Sequence, residues 1–274
     1  MKTLYISDLD GTLLNSSAEL SVYTTNALNR LIADGMHFSA ATARTASTTL
    51  QMFEGVALNT PIVLMNGVLI YDPTCNQYIN REIISDTAKS GIIDAMHEAE
   101  QSCLMYALCG EKMSTYYRNP VNTMLRDFMD ERIGKYNKIF TPVEDFATVT
   151  NDIIYFCFLD EQENIERIYS LISDIDGPKT EKYRDIYSKH LWYLEVFSAN
   201  ASKRCAVDFL RKHGGYDRII GFGDNLNDLP LFHACDECYA VANAKDELKQ
   251  IATAVIGRND EDSVVRWLEG VRQS

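Results

Sequence analysis

The sequence predicts an α/β protein with a Rossmann-like, doubly wound parallel-sheet core that is interrupted by an inserted α+β cap. Short apolar, β-prone segments alternate with helical patterns over the first 65 residues, and the alternation resumes near residue 202. Between these stretches the pattern changes to hairpins and neighbouring strands. Alternating strands and helices favour parallel pairing through right-handed crossovers. We therefore expect a core formed by residues 1–81 and 191–274 and an inserted domain formed by residues 82–190.

The first part of the core should contain three strands and two helices. Apolar residues recur at helical spacing between residues 21 and 34, and Gly35 follows as a stop signal. We predict strands at 3–7, 37–42 and 61–65 and helices at 21–34 and 45–53. Each strand ends close to polar residues, which places polar side chains at one edge of the predicted sheet.

The insert follows a hairpin that the Asp72-Pro73 turn predicts between residues 68 and 81. Within the insert we predict helices at 86–100, 121–133 and 164–175 and strands at 104–109, 112–118, 153–159 and 181–187. A further strand at 191–197 lies just after the predicted boundary. The core then continues with helices at 202–213, 230–234, 246–251 and 262–271 and strands at 219–222, 239–241 and 254–256.

The charge and the cysteine content argue against a nucleic-acid-binding protein and favour a cytoplasmic one. The chain has 39 acidic and 26 basic side chains, a net charge of −13, and shows no basic cluster, so we expect no nucleic-acid partner. Its seven cysteines form an odd, scattered set, which is typical of reduced thiols in a cytoplasmic protein. No apolar run is long enough to span a membrane, and no obligate protein partner is evident.

The first chemical patch is the segment from Asp8 to Thr12, directly after the first strand. Carboxylates at i and i+2 of an extended backbone lie on the same side, so Asp8 and Asp10 are predicted to be close together. Two such carboxylates cannot both ionise cheaply, and the pair could supply a nucleophile and a general acid. An acidic strand-to-turn junction without chemistry is the alternative.

The second and third patches are weaker when each is taken alone. Thr42 and Ala43 end the second strand, where a hydroxyl and free amides could hold a phosphate oxygen, although Thr before a helix is usually a cap. Lys203 falls in the first turn of a predicted helix, which is unfavourable for the helix dipole unless it faces an anion. A solvated lysine is the alternative.

The fourth patch is the segment from Gly223 to Asp228, which follows a predicted strand. Acids and amides in a tight loop offer the oxygen ligands that suit a hard divalent cation, and we predict Mg²⁺. The alternative is an Asx-turn with Asp228 as the cap of the next helix.

Together and in this order, the four patches resemble the signature of the haloacid dehalogenase superfamily, and within it the Mg²⁺-dependent phosphatases of the Cof type. That signature consists of DxDGT near the N-terminus, Thr or Ser after the second strand, a distant Lys, and GDxxND. The matching residues are Asp8 and Asp10, Thr42, Lys203, and Asp224 and Asp228. The resemblance covers essentially the whole chain and is specific in its outer halves.

The resemblance implies a mechanism. Asp8 would attack phosphorus and form an aspartyl-phosphate, and Asp10 would protonate the leaving oxygen and later take a proton from the hydrolytic water. Lys203 would neutralise Asp8 and a phosphate oxygen. The substrate would be a small phosphorylated metabolite, with sugar phosphates as the leading class, and the insert would be the cap that selects it.

The resemblance also implies a ligand set. Mg²⁺ would be held by the Asp8 carboxylate, the Asp10 carbonyl and Asp224. Asp228 would orient the loop or a metal-bound water rather than ligate directly, with direct ligation as the other reading. The remaining phosphate oxygens would be bound by Thr42, the Ala43 amide and Asn227.

Two other functions are compatible with the same residues. A sugar phosphomutase would use the same aspartate but return the phosphoryl group to a sugar. A non-catalytic regulator would keep the fold to sense a phosphorylated metabolite, although it would have no need for the nucleophile.

Overall fold

The computed structural model describes residues 1–185, 188 and 190–272. By their internal contacts these residues form two compact units. One unit comprises the described residues in the ranges 1–80 and 201–272, and the other comprises the described residues in the range 81–200. We call them the core unit and the insert unit.

The first part of the core unit follows the predicted order. Its elements are β1 (Thr3–Ser7), α1 (Val22–Ala33), β2 (His37–Ala40), α2 (Ala46–Met52), β3 (Ile62–Leu64), β4 (Leu69–Asp72) and β5 (Gln77–Arg81). The start of α1 is set by Ser21, whose hydroxyl accepts a hydrogen bond from the Thr24 amide at 2.9 Å. The strands β3, β4 and β5 form a second sheet in that order, in which β3 and β4 are antiparallel.

The insert unit combines one antiparallel-rich sheet with helices. Its elements are α3 (Asp86–Ala99), β6 (Leu104–Cys109), β7 (Lys112–Tyr117), α4 (Thr123–Tyr136), β8 (Phe140–Pro142), β9 (Asp152–Asp160), α5 (Gln162–Ile172), β10 (Pro178–Arg184) and β11 (Trp192–Ser198). The sheet order is β10-β11-β9-β6-β7-β8. One sheet face, with Phe156, Phe158 and Val196, packs with α3 and α5 into the unit's hydrophobic core.

The last part of the core unit restores the alternation. Its elements are α6 (Lys203–Gly214), β12 (Arg218–Gly223), α7 (Leu229–Phe232), β13 (Glu237–Ala240), α8 (Asp246–Ile251), β14 (Ala254–Val255) and α9 (Ser263–Arg272). The hydroxyl of Ser202 accepts a hydrogen bond from the Cys205 amide at 3.0 Å. Ser202 is thus the N-cap of α6, and Lys203 is the first residue of that helix.

The core sheet explains why distant segments meet. Its five strands run parallel in the order β14-β13-β12-β1-β2, so β1 lies between β12 and β2. The end of β1 at Ser7 is opposite Phe222 of β12 and Ala40 of β2. The loops that leave these three strands therefore begin side by side at one sheet edge.

The second boundary between the units differs from the sequence prediction. Strand β11 pairs along its length with β9 and β10, so it belongs to the insert unit, although the prediction began the core at residue 191. Sequence patterning identified the strand but not its pairing partners, which decide the unit. Two smaller differences concern strands: the short β8 was missed, and the strand predicted at 181–187 is β10, with residues 186 and 187 outside the described residues.

All seven cysteines carry free thiols. Among the described residues, no helix has both the length and the apolar character that crossing a membrane requires.

Candidate active site

Asp8 and Asp224 leave neighbouring strands at the same edge of the core sheet. Asp8 follows β1, and its amide donates a hydrogen bond to the Phe222 carbonyl of β12 at 3.0 Å. Asp224 follows the last residue of β12, Gly223. Parallel pairing of adjacent strands thus brings two carboxylates together that are 216 positions apart in the chain.

Lys203 joins Asp8 to the third carboxylate, Asp228. Its ammonium nitrogen Nζ donates to Asp8 Oδ1 and to Asp228 Oδ1, both at 2.6 Å. Lys203 is 1 % exposed and Asp228 is completely buried. A lysine this deeply buried must be paired, and the two carboxylates provide that pairing.

Asp228 also shapes the loop that carries Asp224. Its second oxygen, Oδ2, accepts hydrogen bonds from the amides of Asp224 at 3.0 Å and Asn225 at 3.1 Å. A Cβ on Gly223 would lie 2.8 Å from that oxygen, so only glycine lets the carboxylate fold back over the strand end. Asp228 therefore connects Lys203 to the conformation of the Asp224 loop.

Asp224 is held by the turn that follows Asp8. Its Oδ1 accepts a hydrogen bond from the Thr12 hydroxyl at 2.9 Å. Gly11 lies at φ +77°, and a Cβ there would come within 2.6 Å of Asp224 Oδ2. The Asn243 side chain donates to the Gly11 carbonyl at 2.8 Å and fixes the turn. Gly11 is thus required both for its backbone conformation and for its close approach to Asp224.

The cluster carries more negative than positive charge. Burial and the neighbouring Asp228 carboxylate raise the pKa of Asp8 well above its ordinary value, although Lys203 opposes them. Burial and Asp228 raise the pKa of Asp224 to about 6, against the hydrogen bond from Thr12. Burial alone would lower the pKa of Lys203, but Asp228 and Asp8 outweigh it and raise that pKa. One ammonium therefore stays charged beside three carboxylates that repel one another.

The donor set fits a hard divalent cation. Asp8, Asp224 and Asp228 offer carboxylate oxygens that lie within 4.8 Å of one another. Among the described residues, Asp8 Oδ2 receives no hydrogen bond, because Lys203 binds the other oxygen. Oxygen-rich, negatively charged sets of this kind suit Mg²⁺ better than softer metals. The neighbouring carboxylates, which together with burial raise the pKa of Asp8 and Asp224, carry the negative charge that such a cation would compensate.

Asp10 lies in the turn that follows Asp8, and its side chain forms an ion pair with Arg44. Its carboxylate is half-exposed and binds the Arg44 guanidinium through two hydrogen bonds, at 2.7 Å from Nε and 2.6 Å from Nη2. The backbone turns at residues 9–13, closed by the Leu14 amide on the Leu9 carbonyl at 2.9 Å, so the two-residue alternation of a strand ends at Asp8. Asp228 and Asp224 are the carboxylates whose charge, together with burial, raises the pKa of Asp8.

The predicted phosphate-binding residues lie on two loops. Thr42 is buried, and its hydroxyl oxygen accepts a hydrogen bond from the Arg44 amide at 3.1 Å. Ala43 and Asn227 are both exposed. Thr42 also joins β2 to β3, because its amide donates to the Val63 carbonyl at 3.0 Å.

Sequence reasoning overlooked three side chains that hold the site. Thr12 ends the segment that begins at Asp8, and Arg44 directly follows Ala43, but neither was assigned a role. Asn243 lies in a loop that carried no motif. Two signals could have indicated Thr12 and Arg44. Thr12 places a hydroxyl two residues after a carboxylate, and Arg44 is a lone arginine beside the Thr42 loop. Nothing in the local sequence around Asn243 predicts its contact with Gly11.

Comparison with known proteins identifies the family. A model of the haloacid dehalogenase-like hydrolases matches residues 5–268. The chain belongs to this family. The expected superfamily and the expectation of a hydrolase are thereby confirmed, and so is the α/β fold class, because solved structures of this fold superpose on the whole chain.

Two curated relatives of this hydrolase are phosphatases with different substrates in their names. The 5-amino-6-(5-phospho-D-ribitylamino)uracil phosphatase YitU of Bacillus subtilis (strain 168) is 24 % identical, over 96 % of this chain and 94 % of that protein. The pyridoxal phosphate phosphatase YbhA of Escherichia coli (strain K12) is 23 % identical, over 95 % of each chain.

A solved structure supports the fold over nearly the full length. The crystal structure of TM0651 from Thermotoga maritima aligns with a TM-score of 0.82 at 23 % identity, and the alignment covers 98 % of this chain and 97 % of that one. At this identity the likeness establishes the arrangement of the elements and not the substrate.

Proposed function

We propose that this hydrolase is a Mg²⁺-dependent phosphatase that acts on small phosphorylated metabolites through an aspartyl-phosphate intermediate. The observation that carries the proposal is the buried Lys203 ammonium, bound at 2.6 Å to both Asp8 and Asp228 beside Asp224. A protein that only binds phosphate has no need for an anionic carboxylate where the phosphate would sit. A nucleophilic carboxylate, however, needs a cation close by.

Asp8 is the nucleophile in this proposal. Its Oδ2, which accepts no hydrogen bond among the described residues, attacks phosphorus while the bond from phosphorus to the leaving oxygen breaks. Lys203 keeps the other carboxylate oxygen in place and offers positive charge to the transferring group. Water then attacks phosphorus, and the bond between phosphorus and Asp8 breaks to release inorganic phosphate.

Asp10 is the general acid and then the general base. It gives a proton to the leaving oxygen in the first step and takes one from the attacking water in the second. Arg44 holds its carboxylate through two hydrogen bonds, so Asp10 must exchange part of this pairing for the substrate. Arg44 would thereby restrict the conformations of the Asp10 side chain before the substrate binds.

The metal would be held by the Asp8 carboxylate, the Asp10 carbonyl and Asp224. When bound, Mg²⁺ would reduce the repulsion between two anions and stabilise charge on the transferring phosphoryl group. We assign to Asp228 the role of orienting Lys203 and the Asp224 loop, because both of its oxygens are already occupied by donors. The phosphate oxygens would be bound by Thr42, the Ala43 amide, Asn227 and Lys203.

We propose sugar and sugar-alcohol phosphates as the first substrate class to test. The names of two relatives describe a phosphorylated ribityl compound, and another names pyridoxal phosphate, so a screen should contain both kinds. The insert unit is the proposed selector of the alcohol part. The seven free thiols support a reducing, cytoplasmic compartment, and the net negative charge supports a small-molecule partner rather than a nucleic acid.

The test is phosphate release from an aryl phosphate, followed by a panel of phosphorylated metabolites. We expect turnover with Mg²⁺, none after chelation, and recovery when Mg²⁺ is returned. An acid quench of the reaction with ³²P-labelled substrate should leave label on the protein, and Asp8→Asn should remove it. Inorganic phosphate as the product supports a phosphatase, an isomerised sugar phosphate indicates a mutase, and saturable binding without turnover indicates a regulator.

A further inference from the structure

The turn between β3 and β4 has a costly backbone. Met65, Asn66 and Gly67 lie at φ values of +49°, +55° and +100°. Residues other than glycine adopt this region rarely, and each instance costs about 1–3 kcal/mol unless the surroundings repay it. Strain of this kind tends to persist where function requires it.

This turn holds the loop that carries Thr42. The Met65 amide donates to the Arg44 carbonyl at 3.1 Å, and the Asn66 amide donates to the Thr42 carbonyl at 3.0 Å. Two consecutive amides therefore fix both ends of the Thr42–Arg44 segment. The positive φ values are what point consecutive amides at that segment.

The same turn lies against the start of the lysine helix. A Cβ on Gly67 would overlap the backbone of Ser202, the residue that precedes Lys203 and caps α6. The backbones at Gly67 and Ser202 thus touch without a side chain between them. Gly67 therefore sets how closely α6, and with it Lys203, approaches the Thr42 loop.

Asn66 adds an unpaired polar group at this position. It is 8 % exposed, and its Oδ1 is buried without a hydrogen-bond partner among the described residues. Leaving an acceptor in this state costs about 1–3 kcal/mol. Because the turn touches both the Thr42 loop and the lysine helix, a donor that arrives with the ligand is the natural partner for this oxygen.

We propose that the Met65–Gly67 turn is a positioning element of the phosphoryl site, in which Gly67 sets the separation of Lys203 from the Thr42 loop and Asn66 accepts a hydrogen bond from a hydroxyl of the substrate. The proposal rests on the proposed phosphatase function. It is independent of which alcohol carries the phosphate, because it requires only a hydroxyl donor on the leaving group.

The first arm of the test is Gly67→Ala, with Gly55→Ala as the matched control. Gly55 also has a positive φ, +83°, but a Cβ there meets no atom within 4 Å, so both variants share the backbone penalty and only the first displaces Ser202. We expect kcat with an aryl phosphate to fall at least 10-fold in Gly67→Ala, with KM changed less than 3-fold, and both constants to stay within 2-fold in the control.

The second arm is Asn66→Gly, which keeps the proposal testable if Gly67→Ala does not fold. Glycine tolerates φ +55° and removes the unpaired oxygen, so a purely structural turn would keep its melting temperature and its kinetics. The matched control is Asn137→Gly, at an exposed residue with φ +51°. We expect an unchanged or higher melting temperature, with KM for a hydroxyl-bearing substrate raised about 10-fold more than KM for a hydroxyl-free aryl phosphate.

Wild-type kinetics in Asn66→Gly with every substrate would overturn the assignment of Asn66, and wild-type kcat in a folded Gly67→Ala would overturn the role of Gly67. If the wild-type protein hydrolyses no phosphate ester, the proposed function fails separately. In that case the role of Gly67 is tested by the rise in melting temperature that inorganic phosphate produces, instead of by kcat. Loss of that rise in Gly67→Ala but not in Gly55→Ala would still support the positioning role, and its retention would overturn it.

Discussion

Each of the two units contains a carboxylate with limited access to water, and the two units differ in whether that carboxylate is paired with a cation. In the core unit, Asp8 and Asp228 share the Lys203 ammonium. In the insert unit, Glu195 of β11 makes no ion pair among the described residues and accepts a hydrogen bond from the Tyr183 hydroxyl at 3.0 Å. Burial raises the pKa of Glu195 to about 7, against hydrogen bonds from Tyr155 and Tyr183.

The difference shows what a nearby cation does for a carboxylate that is buried, as Asp8 is, or partly buried, as Glu195 is. Without a nearby cation, Glu195 can become neutral near physiological pH. The neighbouring tyrosine hydroxyls can hydrogen-bond to its neutral form as well as to its charged form. In the core cluster, the Lys203 ammonium stays charged beside three carboxylates. The cluster therefore has a net negative charge at the ends of the strands. Only the second arrangement supplies an anionic nucleophile and a place for a divalent ion.

The largest expected effect comes from Asp8→Asn, which removes the nucleophile and keeps the shape of the side chain. We expect activity to fall by roughly 10⁴-fold or more, because no other side chain replaces a covalent nucleophile. The melting temperature should change little, since the amide oxygen can still accept from Lys203. Steady-state kinetics measures the loss, with the exposed Asp127→Asn as the control. Residual activity within 10-fold of wild type would refute the assignment.

Lys203→Met should affect both activity and stability, because it leaves two buried carboxylates without their cation. We expect a loss of about 10³-fold in kcat and a decrease of about 3–5 kcal/mol in the free energy of unfolding. Chemical denaturation followed by fluorescence gives the second quantity. Lys212→Met, at an exposed position of the same helix, should change neither. An unchanged stability in Lys203→Met would contradict the burial argument.

Magnesium should stabilise the core unit by binding its carboxylates. At a concentration 100 times the dissociation constant we expect about 2.7 kcal/mol of added stability, seen as a rise in melting temperature that EDTA reverses. Asp224→Asn should lose most of this rise, whereas the exposed Asp246→Asn should keep it. A rise of equal size in all three proteins would show that the ion binds elsewhere.

The smallest effect should come from Glu195→Gln. The folded state holds a proton on Glu195 more tightly than the unfolded chain does, since its pKa is raised from 4.5 to about 7. The stability of the insert unit should therefore decline as pH rises from about 4.5 to 7, and the variant should escape that decline and be more stable at pH 8 by about 1–3 kcal/mol.

The two tryptophans allow the units to be followed separately. Trp192 lies in the insert unit and Trp267 in the core unit. In a Trp267→Phe background, thermal unfolding monitored by tryptophan fluorescence at pH 5 and pH 8 reports on the insert. Equal pH dependence with Glu and Gln at position 195 would mean that the carboxylate is not the titrating group.

The sequence predicted the site better than it predicted the contacts within it. Asp8, Lys203, Asp224 and Asp228 were all singled out because each follows a strand or begins a helix of the alternating pattern, and the structure brings them together. The two-residue rule does not describe the backbone from Asp8 to Asp10, because strand β1 ends at Ser7 and a turn begins at Leu9. The hydrogen bonds from Thr12 to Asp224 and from Arg44 to Asp10 are not revealed by local patterning.

The sequence by itself determined the strand–helix alternation, the positions where strands end, and the residues with the right chemistry, because these depend on local periodicity and on side-chain type. Only the tertiary structure decided that β11 belongs to the insert unit, that Asp228 shares the lysine with Asp8, and that Gly67 touches Ser202. Each of these is a contact between segments far apart in the chain, and strand pairing and close packing set such contacts through geometry that no short stretch of sequence contains.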